Sequence, residues 1–398
     1  MTISNRSICH YGTKSLFMGN RIIYIGNYDH FDTGHKLLTQ PSSCSKMNYI
    51  LNALVEAGFI VDLYSTAVCD SSSWQKRQTY RYNNFTINYL FSIGHQGLFR
   101  KVISFLLIIF QLIFILSFVK NDISILVYHS PRLTKYLLRF RFLYKRNPLY
   151  LEIEELYSVV RKEKKKAFDN EIKRLQSAQG YILVNDTIKQ LCDLNAQSTV
   201  CYGVYTVLSI LPHHIQDDSV NIVYAGGLDE DAILAIHTIS LLPSKYTLHI
   251  LGWGKTKDDI ERVKNEIERI NKQSGKIRVT YEGCLHGKDY EKFLDTNIIG
   301  LSSREVEKLD SQYAFPSKIL TYLAHNLIVV STPHIAIQRS KIADLVYFSS
   351  DFKPESIADA IEKSMTKMRI VDNKERIIQL HKQFVSDLKQ LFRGPMYE

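Results

Sequence analysis

One lysine stands where its charge opposes the local structure. In Phe315-Pro316-Ser317-Lys318-Ile319-Leu320-Thr321-Tyr322-Leu323-Ala324, the proline marks a helix start ahead of a strand at Leu327–Ser331. A helix N-terminus has free N–H groups and a positive dipole end, so a cation in its first turn is unfavourable. A bound phosphate would offset that conflict, which makes Lys318 a candidate phosphate ligand. The other reading, an exposed lysine whose chain bends away from the helix end, stays open. Glycines gather at comparable places. Gly226-Gly227, Gly252-Trp253-Gly254 and Gly283 each close an expected strand, and glycine there lets a ligand approach the backbone. Cys284, Leu285 and Ser302 sit at the same strand ends. The spacing is not GxGxxG, so a nucleotide edge is expected and a dinucleotide cofactor is not.

Carboxylates supply the second constellation. In LEIEELYS, Glu152 and Glu154 share one face of an extended strand, where a general base or an acceptor-binding group would sit. Solvated charges at a strand end are an equal alternative. His129, closing LVYHSP, is a candidate for the same groove or a structural histidine. No HxxxH, DxD or clustered Asp/Glu/His spacing occurs, so no metal is expected, and no GxSxG elbow is present. The six cysteines are scattered without CxxC spacing, which excludes a disulfide scaffold and a zinc knuckle. No apolar core occurs in the first twenty residues, so a secretory signal is not expected.

Charge is distributed unevenly over the 398 residues. Residues 1–202 carry 25 Lys and Arg against 14 Asp and Glu, whereas the remainder carries 25 against 26. The excess concentrates between Arg100 and Arg146, where nine cations face only Asp122. Inside that stretch, Val102–Val119 runs eighteen residues without a charge. At about 1.5 Å per residue it reaches the lower limit of a membrane span. Spanning is disfavoured because Ile123–Tyr128 should pair with Ile22–Ile25 and Val61–Tyr64, and one sheet cannot straddle a bilayer. A helix buried against the sheet, or one lying in a membrane interface with basic flanks, remains; only Ser104 and Gln111 break its apolar surface on one face. Nucleic acid is not expected, since no recognition helix, zinc finger or aromatic RNA-binding strand is spelled out.

The elements that position these residues alternate strand and helix. In the second half the strands are Val220–Ala225, Tyr246–Leu251, Ile277–Tyr281, Ile298–Leu301, Leu327–Ser331 and Leu345–Phe348. Helices fall at Asp231–Leu242, Asp258–Lys272, Asp289–Leu294, Ser317–His325 and Glu355–Lys367. Repeated units of this length predict an α/β fold with a doubly wound parallel sheet, whose ligands bind beyond the carboxyl ends of the strands. The first half is similar, with strands at Arg21–Ile25, Ile60–Tyr64, Ile123–Tyr128, Leu149–Ile153 and Ile182–Val184, and a helix at Lys46–Ala57. Residues 190–213, including Gly203 and Pro212, read as the crossing between domains. The organisation is thus 1–202, 203–372 and a last helix within 373–398 that is long enough to pack back on the first domain.

The stretch IVYAGGL, YTLHILGWG, VTYEGCL, IIGLSS, FPSKILTYLAHNLIVVST, LVYFSS and SIADAIEKS, over 220–368, resembles the nucleotide-sugar domain of GT-B glycosyltransferases. The resemblance is to the group 1 (family 4) type of bacterial surface-polysaccharide biosynthesis. In the first half it rests on IIYIGNY, the Gln40–Gly58 loop and helix, and YLEIEELYS. It implies two doubly wound Rossmann-like domains facing a cleft, with the acceptor on the first and the donor on the second. It further implies a metal-independent hexosyl transfer from a UDP-linked sugar, used as substrate rather than cofactor, to a lipid-linked glycan. Gly226, Gly227, Gly252, Gly254, Gly283, Cys284, Leu285, Ser302, Phe315, Pro316, Ser317, Lys318 and Thr321 would then bind the donor. His129, Glu152 and Glu154 would act on the acceptor. The implied location is cytoplasmic and peripheral, on the inner face of the plasma membrane through Val102–Val119 and its flanking Lys and Arg. Two departures stand out. The family's paired glutamates align with Tyr313 and Thr321, and its cation after the first strand of this domain is replaced by Asp229 and Glu230. A nucleotide-sugar 2-epimerase and a non-catalytic scaffold in a polysaccharide-assembly complex are the alternatives these departures leave open.

Overall fold

The computed structural model describes residues 21–30, 37–70, 74–94, 96–205, 219–304, 310–366 and 373–393. The first twenty residues, where no secretory signal is expected, and Pro212 in the expected crossing, lie outside the described residues. The chain packs as two compact units. One holds the chain through Leu151, Ala178–Gly180 and the chain from Asp387; the other holds Glu152–Ser177 and Tyr181–Ser386.

The first ten strands are β1 (Arg21–Gly26), β2 (Ile60–Ser65), β3 (Trp74–Gln75), β4 (Gln78–Arg81), β5 (Phe85–Tyr89), β6 (Ser92–Ile93), β7 (Ser124–Tyr128), β8 (Leu149–Ile153), β9 (Gly180–Leu183) and β10 (Gln197–Val200). Eight of them form one sheet in the order β10-β9-β8-β7-β1-β2-β5-β4, and β3 pairs with β6 separately. β1 runs parallel to both β2 and β7, so β7 pairs with β1 but not with β2. Chain order reverses between β1 and β7, which makes that pair a topological switch point. Among these strands lie α1 (Pro41–Glu56), α2 (Leu98–Ser117), α3 (Pro131–Arg139), α4 (Tyr157–Val160), α5 (Lys165–Leu175) and α6 (Thr187–Leu191). α1 begins five residues before the expected Lys46, because Pro41 occupies the first helical turn, where its missing N–H costs nothing. β4 and β5 were not foreseen from QTYR and FTINY. Polar neighbours hide their periodicity, and only the parallel pairing of β5 with β2 buries Ile87 and Tyr89.

The second half contains β11 (Val220–Gly227), β12 (Tyr246–Trp253), β13 (Val279–Gly283), β14 (Ile299–Ser302), β15 (Ile328–Ser331) and β16 (Val346–Phe348). They form one sheet in the order β13-β12-β11-β14-β15-β16, with every pair parallel. The helices are α7 (Glu230–Leu241), α8 (Lys257–Ser274), α9 (Gly287–Leu294), α10 (Asp310–Tyr313), α11 (Lys318–Ala324), α12 (Ile335–Gln338), α13 (Pro354–Thr366) and α14 (Asn373–Arg393). Ala232, Ala235, Ile236 and Ile239 of α7 and Ile357 and Ile361 of α13 pack with Val220, Ile222 and Tyr224 of β11 in one core. α8 starts with a reciprocal cap between Thr256 and Asp259 and ends at Gly275 in the left-handed region. The buried Arg278 guanidinium donates to the carbonyls of Ile239, Leu242 and Pro243, satisfying the end of α7. The end of α14 belongs to the first unit, where the Phe392 ring meets Phe59 at 5.7 Å and Tyr150 at 4.4 Å between centroids.

α11 is held by one tyrosine. β11 and β14 pair only at Ile222–Ile299 and Val223–Gly300. Beyond that point the Ala225 N–H donates to the Tyr322 hydroxyl at 2.9 Å. The Tyr322 ring is fully buried against Gly300, where any Cβ would fall 2.4 Å from its ring carbons. Tyr322→Phe leaves the Ala225 N–H without its acceptor, and chemical denaturation is expected to show a loss of about 1–3 kcal/mol. An unchanged midpoint would show that the bond contributes nothing.

Candidate functional site

The second sheet runs 3-2-1-4-5-6 in its own strand count, and the chain reverses direction between β11 and β14. The crevice beyond the carboxyl ends of those two strands is where this topology places ligands. The end of β11 brings Tyr224, Gly226 and Gly227 there, and the Tyr224 hydroxyl donates to the Gly227 carbonyl at 2.9 Å. α11 begins with Lys318, whose Nζ lies 4.5 Å from the centroid of the Tyr224 ring, a cation–π pair. A Cβ on Gly226 would stand 2.9 Å from the Tyr224 hydroxyl and 3.5 Å from Lys318 Nζ, so glycine keeps the space beside the ammonium open.

Lys318 is half-buried, and its ammonium is pushed down to about 8, chiefly by loss of solvent. Asp231 and Asp229 act against that shift, and the positive charge of Arg304 reinforces it. α11 has only seven residues, so the anion-attracting feature is this lysine rather than the helix end. Arg304 follows β14 and is exposed; its carbonyl accepts from Thr332 Oγ1 at 2.6 Å, and the preceding Ser303 hydroxyl donates to the Asp231 carbonyl at 2.8 Å. Two cations therefore stand in electrostatic range of each other at the switch point. Arg304 was missed in sequence, although a cation directly after a strand at the chain reversal was the available signal. His334, just past β15, was missed as well. It is 2 % exposed, neither ring nitrogen has a hydrogen-bond partner, and burial with Arg304 nearby lowers it to about 4. It is neutral at pH 7.

The acids that replace the expected cation after β11 have structural work. Asp229 caps α7, accepting from the Asp231 N–H at 3.1 Å, and Glu230 pairs with Arg262 at 2.6 Å. The other glycines divide by cause. Gly252 has φ +146°, and a Cβ there would lie 1.7 Å from the Gly226 carbonyl oxygen. Gly254 admits the first turn of α8, since its Cβ would stand 2.9 Å from Ile260. Gly283, at φ +77°, faces open space. Cys284 is exposed, with Sγ 3.3 Å from His286 Nε2, and Leu285 is half-buried. Ser302 is buried at the end of β14. Pro316 is buried and Ser317 exposed, while the Phe315 ring meets Tyr202 at 5.0 Å. Tyr313, in the place of one family glutamate, is buried with its ring 6.2 Å from Phe168. The carbonyl of neighbouring Gln312 accepts from the side chains of Asn185 and Thr187. Thr321 is half-buried on α11.

The proposed acceptor residues lie on or just after two neighbouring strands of the first sheet, β7 and β8. His129 follows β7 at the switch point of the first sheet, is buried, and shares a 2.9 Å hydrogen bond with Thr134 Oγ1. It belongs to the first unit, and Glu152 and Glu154 to the second. β8 ends at Ile153, so Glu154 lies in the bend that follows instead of sharing a strand face with Glu152. Glu152 is fully buried; Glu154 and Glu155 are half-buried. Burial, with the charge of Glu154 beside it, raises the Glu155 carboxyl above its ordinary range. Buried Glu171 accepts from the Tyr157 and Ser158 N–H groups at 3.1 and 2.9 Å and caps α4. Among the described residues, no three His, Cys, Asp or Glu side chains cluster as a metal site.

No family model and no curated protein matches the sequence. Solved structures do match over nearly the whole chain. A trehalose-6-phosphate structure from E. coli bound with UDP-2-fluoro glucose is 13 % identical, covering 93 % of this chain and 99 % of its own, with a TM-score of 0.65. The alpha,alpha-trehalose 6-phosphate synthase of Burkholderia multivorans is 12 % identical, covers 94 % of each chain, and has a TM-score of 0.65. The lipopolysaccharide outer core galactosyltransferase WaaB is 11 % identical, covering 93 % and 98 %, with a TM-score of 0.61. The fold is GT-B. Its two Rossmann-like sheets are the two described above, each with its own switch point. At these identities the likeness extends to the fold.

Lys318 carries a measurable cost in the GT-B chain. The folded protein releases this proton near pH 8 and the unfolded chain near 10.5, so stability from this group is lowest below 8 and rises between those values. Lys318→Met is expected to raise the melting temperature at pH 7, with the gain shrinking as pH approaches 10.5. A variant that melts below the wild type at pH 7 would overturn the picture of a desolvated charge.

Proposed function

We propose that the protein is a glycosyltransferase that moves a sugar from a nucleotide-diphosphate donor, UDP-linked, to a hydroxyl of a lipid-linked glycan during surface-polysaccharide synthesis. The observation that carries this reading is the Lys318 ammonium held beside Gly226 at the switch point of a GT-B sheet. A desolvated cation there is matched to an anion brought by a ligand, and a diphosphate brings one. UDP is favoured because a fold neighbour holds UDP-2-fluoro glucose.

In the reaction, the bond from the sugar's anomeric carbon to the diphosphate oxygen breaks, and a bond from that carbon to the acceptor oxygen forms. The electron pair leaves with the diphosphate, whose growing charge Lys318 and Arg304 neutralise. The acceptor hydroxyl loses its proton to a carboxylate of the Glu152–Glu155 run, where Glu154 and Glu155 retain exposed surface. Glu152, buried at the end of β8, positions that edge. Tyr313 and Thr321 provide no carboxylate, so binding energy at the donor sugar comes from other groups than the family's paired glutamates.

A thermal-shift panel of UDP, GDP, dTDP, CMP and ADP tests the reading. UDP at a hundred times its Kd is expected to stabilise the wild type by about 2.7 kcal/mol, and Lys318→Ala markedly less. Affinity should fall by up to about tenfold per pH unit above 8, as Lys318 loses its proton, and this slope should vanish in Lys318→Ala. If no nucleotide raises the melting temperature, the transferase reading fails and a non-catalytic scaffold replaces it. An equal shift in the variant removes Lys318 from the site.

A further inference from the structure

α2 is apolar on both its buried and its exposed face. Its inward face holds Ile108, Ile109, Leu112 and Leu116 together with the polar residues Ser104 and Gln111. Ser104 donates to the Ile93 carbonyl at 3.1 Å, and the Gln111 amide donates to the Phe91 carbonyl at 2.8 Å and accepts from its N–H at 3.0 Å. The outward face is apolar. Val102, Leu106, Phe110 and Phe114 follow one another at four-residue spacing and continue into Phe118, with Phe110, Phe114 and Phe118 exposed by 69 %, 58 % and 75 %. The rings of Phe114 and Phe118 lie 4.9 Å apart on this surface. The exposed Ser117 hydroxyl bonds back to the Ile113 carbonyl at 2.7 Å. Phe142 and Leu143, in the short turn after α3 that packs on α2, extend the patch. Soluble surfaces carry scattered apolar residues, whereas a continuous stripe marks a partner.

Charge identifies the partner. Exposed Arg100 and Lys101 start α2 and Lys120 follows it; α3 adds Arg132, Lys135 and Arg139, and Lys145 and Arg146 come next. Asp122 is the one acid in the stretch. A protein partner would find few hydrogen-bonding groups between Val102 and Phe114, although protein interfaces carry about one per 100–200 Å². Lipid chains require none. α2 is long enough to cross a bilayer but cannot do so here. β5, before it, and β7, after it, belong to the same sheet.

We propose that α2 is an in-plane docking helix that seats its Val102–Phe118 stripe in the surface of a bilayer, with the surrounding Lys and Arg selecting anionic phospholipid. This requires no transfer chemistry and does not rest on the donor reading. Flotation with phosphatidylcholine vesicles, with and without phosphatidylglycerol, tests it on the full chain. The wild type is expected to float with the anionic vesicles at least about tenfold more than with the neutral ones, and less in high salt. Phe110→Ser/Phe114→Ser should abolish flotation with an unchanged melting temperature, because both rings are exposed. Lys135→Glu/Arg139→Glu should remove the preference for anionic lipid. The proposal falls if the wild type floats with neither vesicle, or if the double serine variant floats as the wild type does. It also falls if light scattering shows a dimer that the serine variant converts to monomer, which would make the stripe a contact between copies.

Discussion

The Ala225 N–H, at the point where β11 and β14 separate, is accepted by the hydroxyl of Tyr322, and the switch-point edge of the sheet is organised around that bond. A parallel sheet that opens to admit a ligand leaves backbone donors without strand partners. Tyr322 supplies the acceptor from outside the sheet. To reach it, the ring must lie against β14, and only glycine at position 300 leaves room. The same ring fixes α11, and so places Lys318, one turn earlier, over Tyr224 and beside Gly226. Gly300, Tyr322, Ala225 and Lys318 thus form one mechanical unit.

That placement has an electrostatic consequence. Lys318 is held where solvent is scarce and Arg304 repels it, with Asp229 and Asp231 as partial counter-charges. Those acids serve α7 first, through the cap at Asp229. The departures from the family pattern thus have local reasons. The acid after β11 caps a helix, and the tyrosine at 313 fills a buried aromatic contact with Phe168 where a carboxylate would be desolvated. The cations at this switch point stand at the end of β14 and the start of α11 instead of at the end of β11.

α2 carries more apolar surface than its packing consumes. Its polar groups face inward because the short β6 strand and Phe91 leave backbone groups there that need partners. Its apolar surplus therefore faces outward, and helix packing within the fold does not consume it. The basic residues around it keep that surface compatible with water.

The strand–helix alternation of 220–366, the glycines at strand ends and Lys318 were legible in the sequence, since periodicity and turn chemistry are local. So was the apolar, basic character of 100–146, which composition alone carries. Strand order was not. Nothing local says that β14 lies beside β11, so the sequence could not choose among the glycine-edged strand ends, nor single out Arg304 and His334. It also could not say that Gly252 and Gly254 answer to packing, because the colliding atoms come from Gly226 and from α8. The face of α2 turned to solvent, and the short strands β4 and β5, were likewise settled by partners distant in sequence. Local residue types determined what chemistry was available; the tertiary structure decided which of those groups meet, because proximity between them is a property of sheet order and side-chain volume.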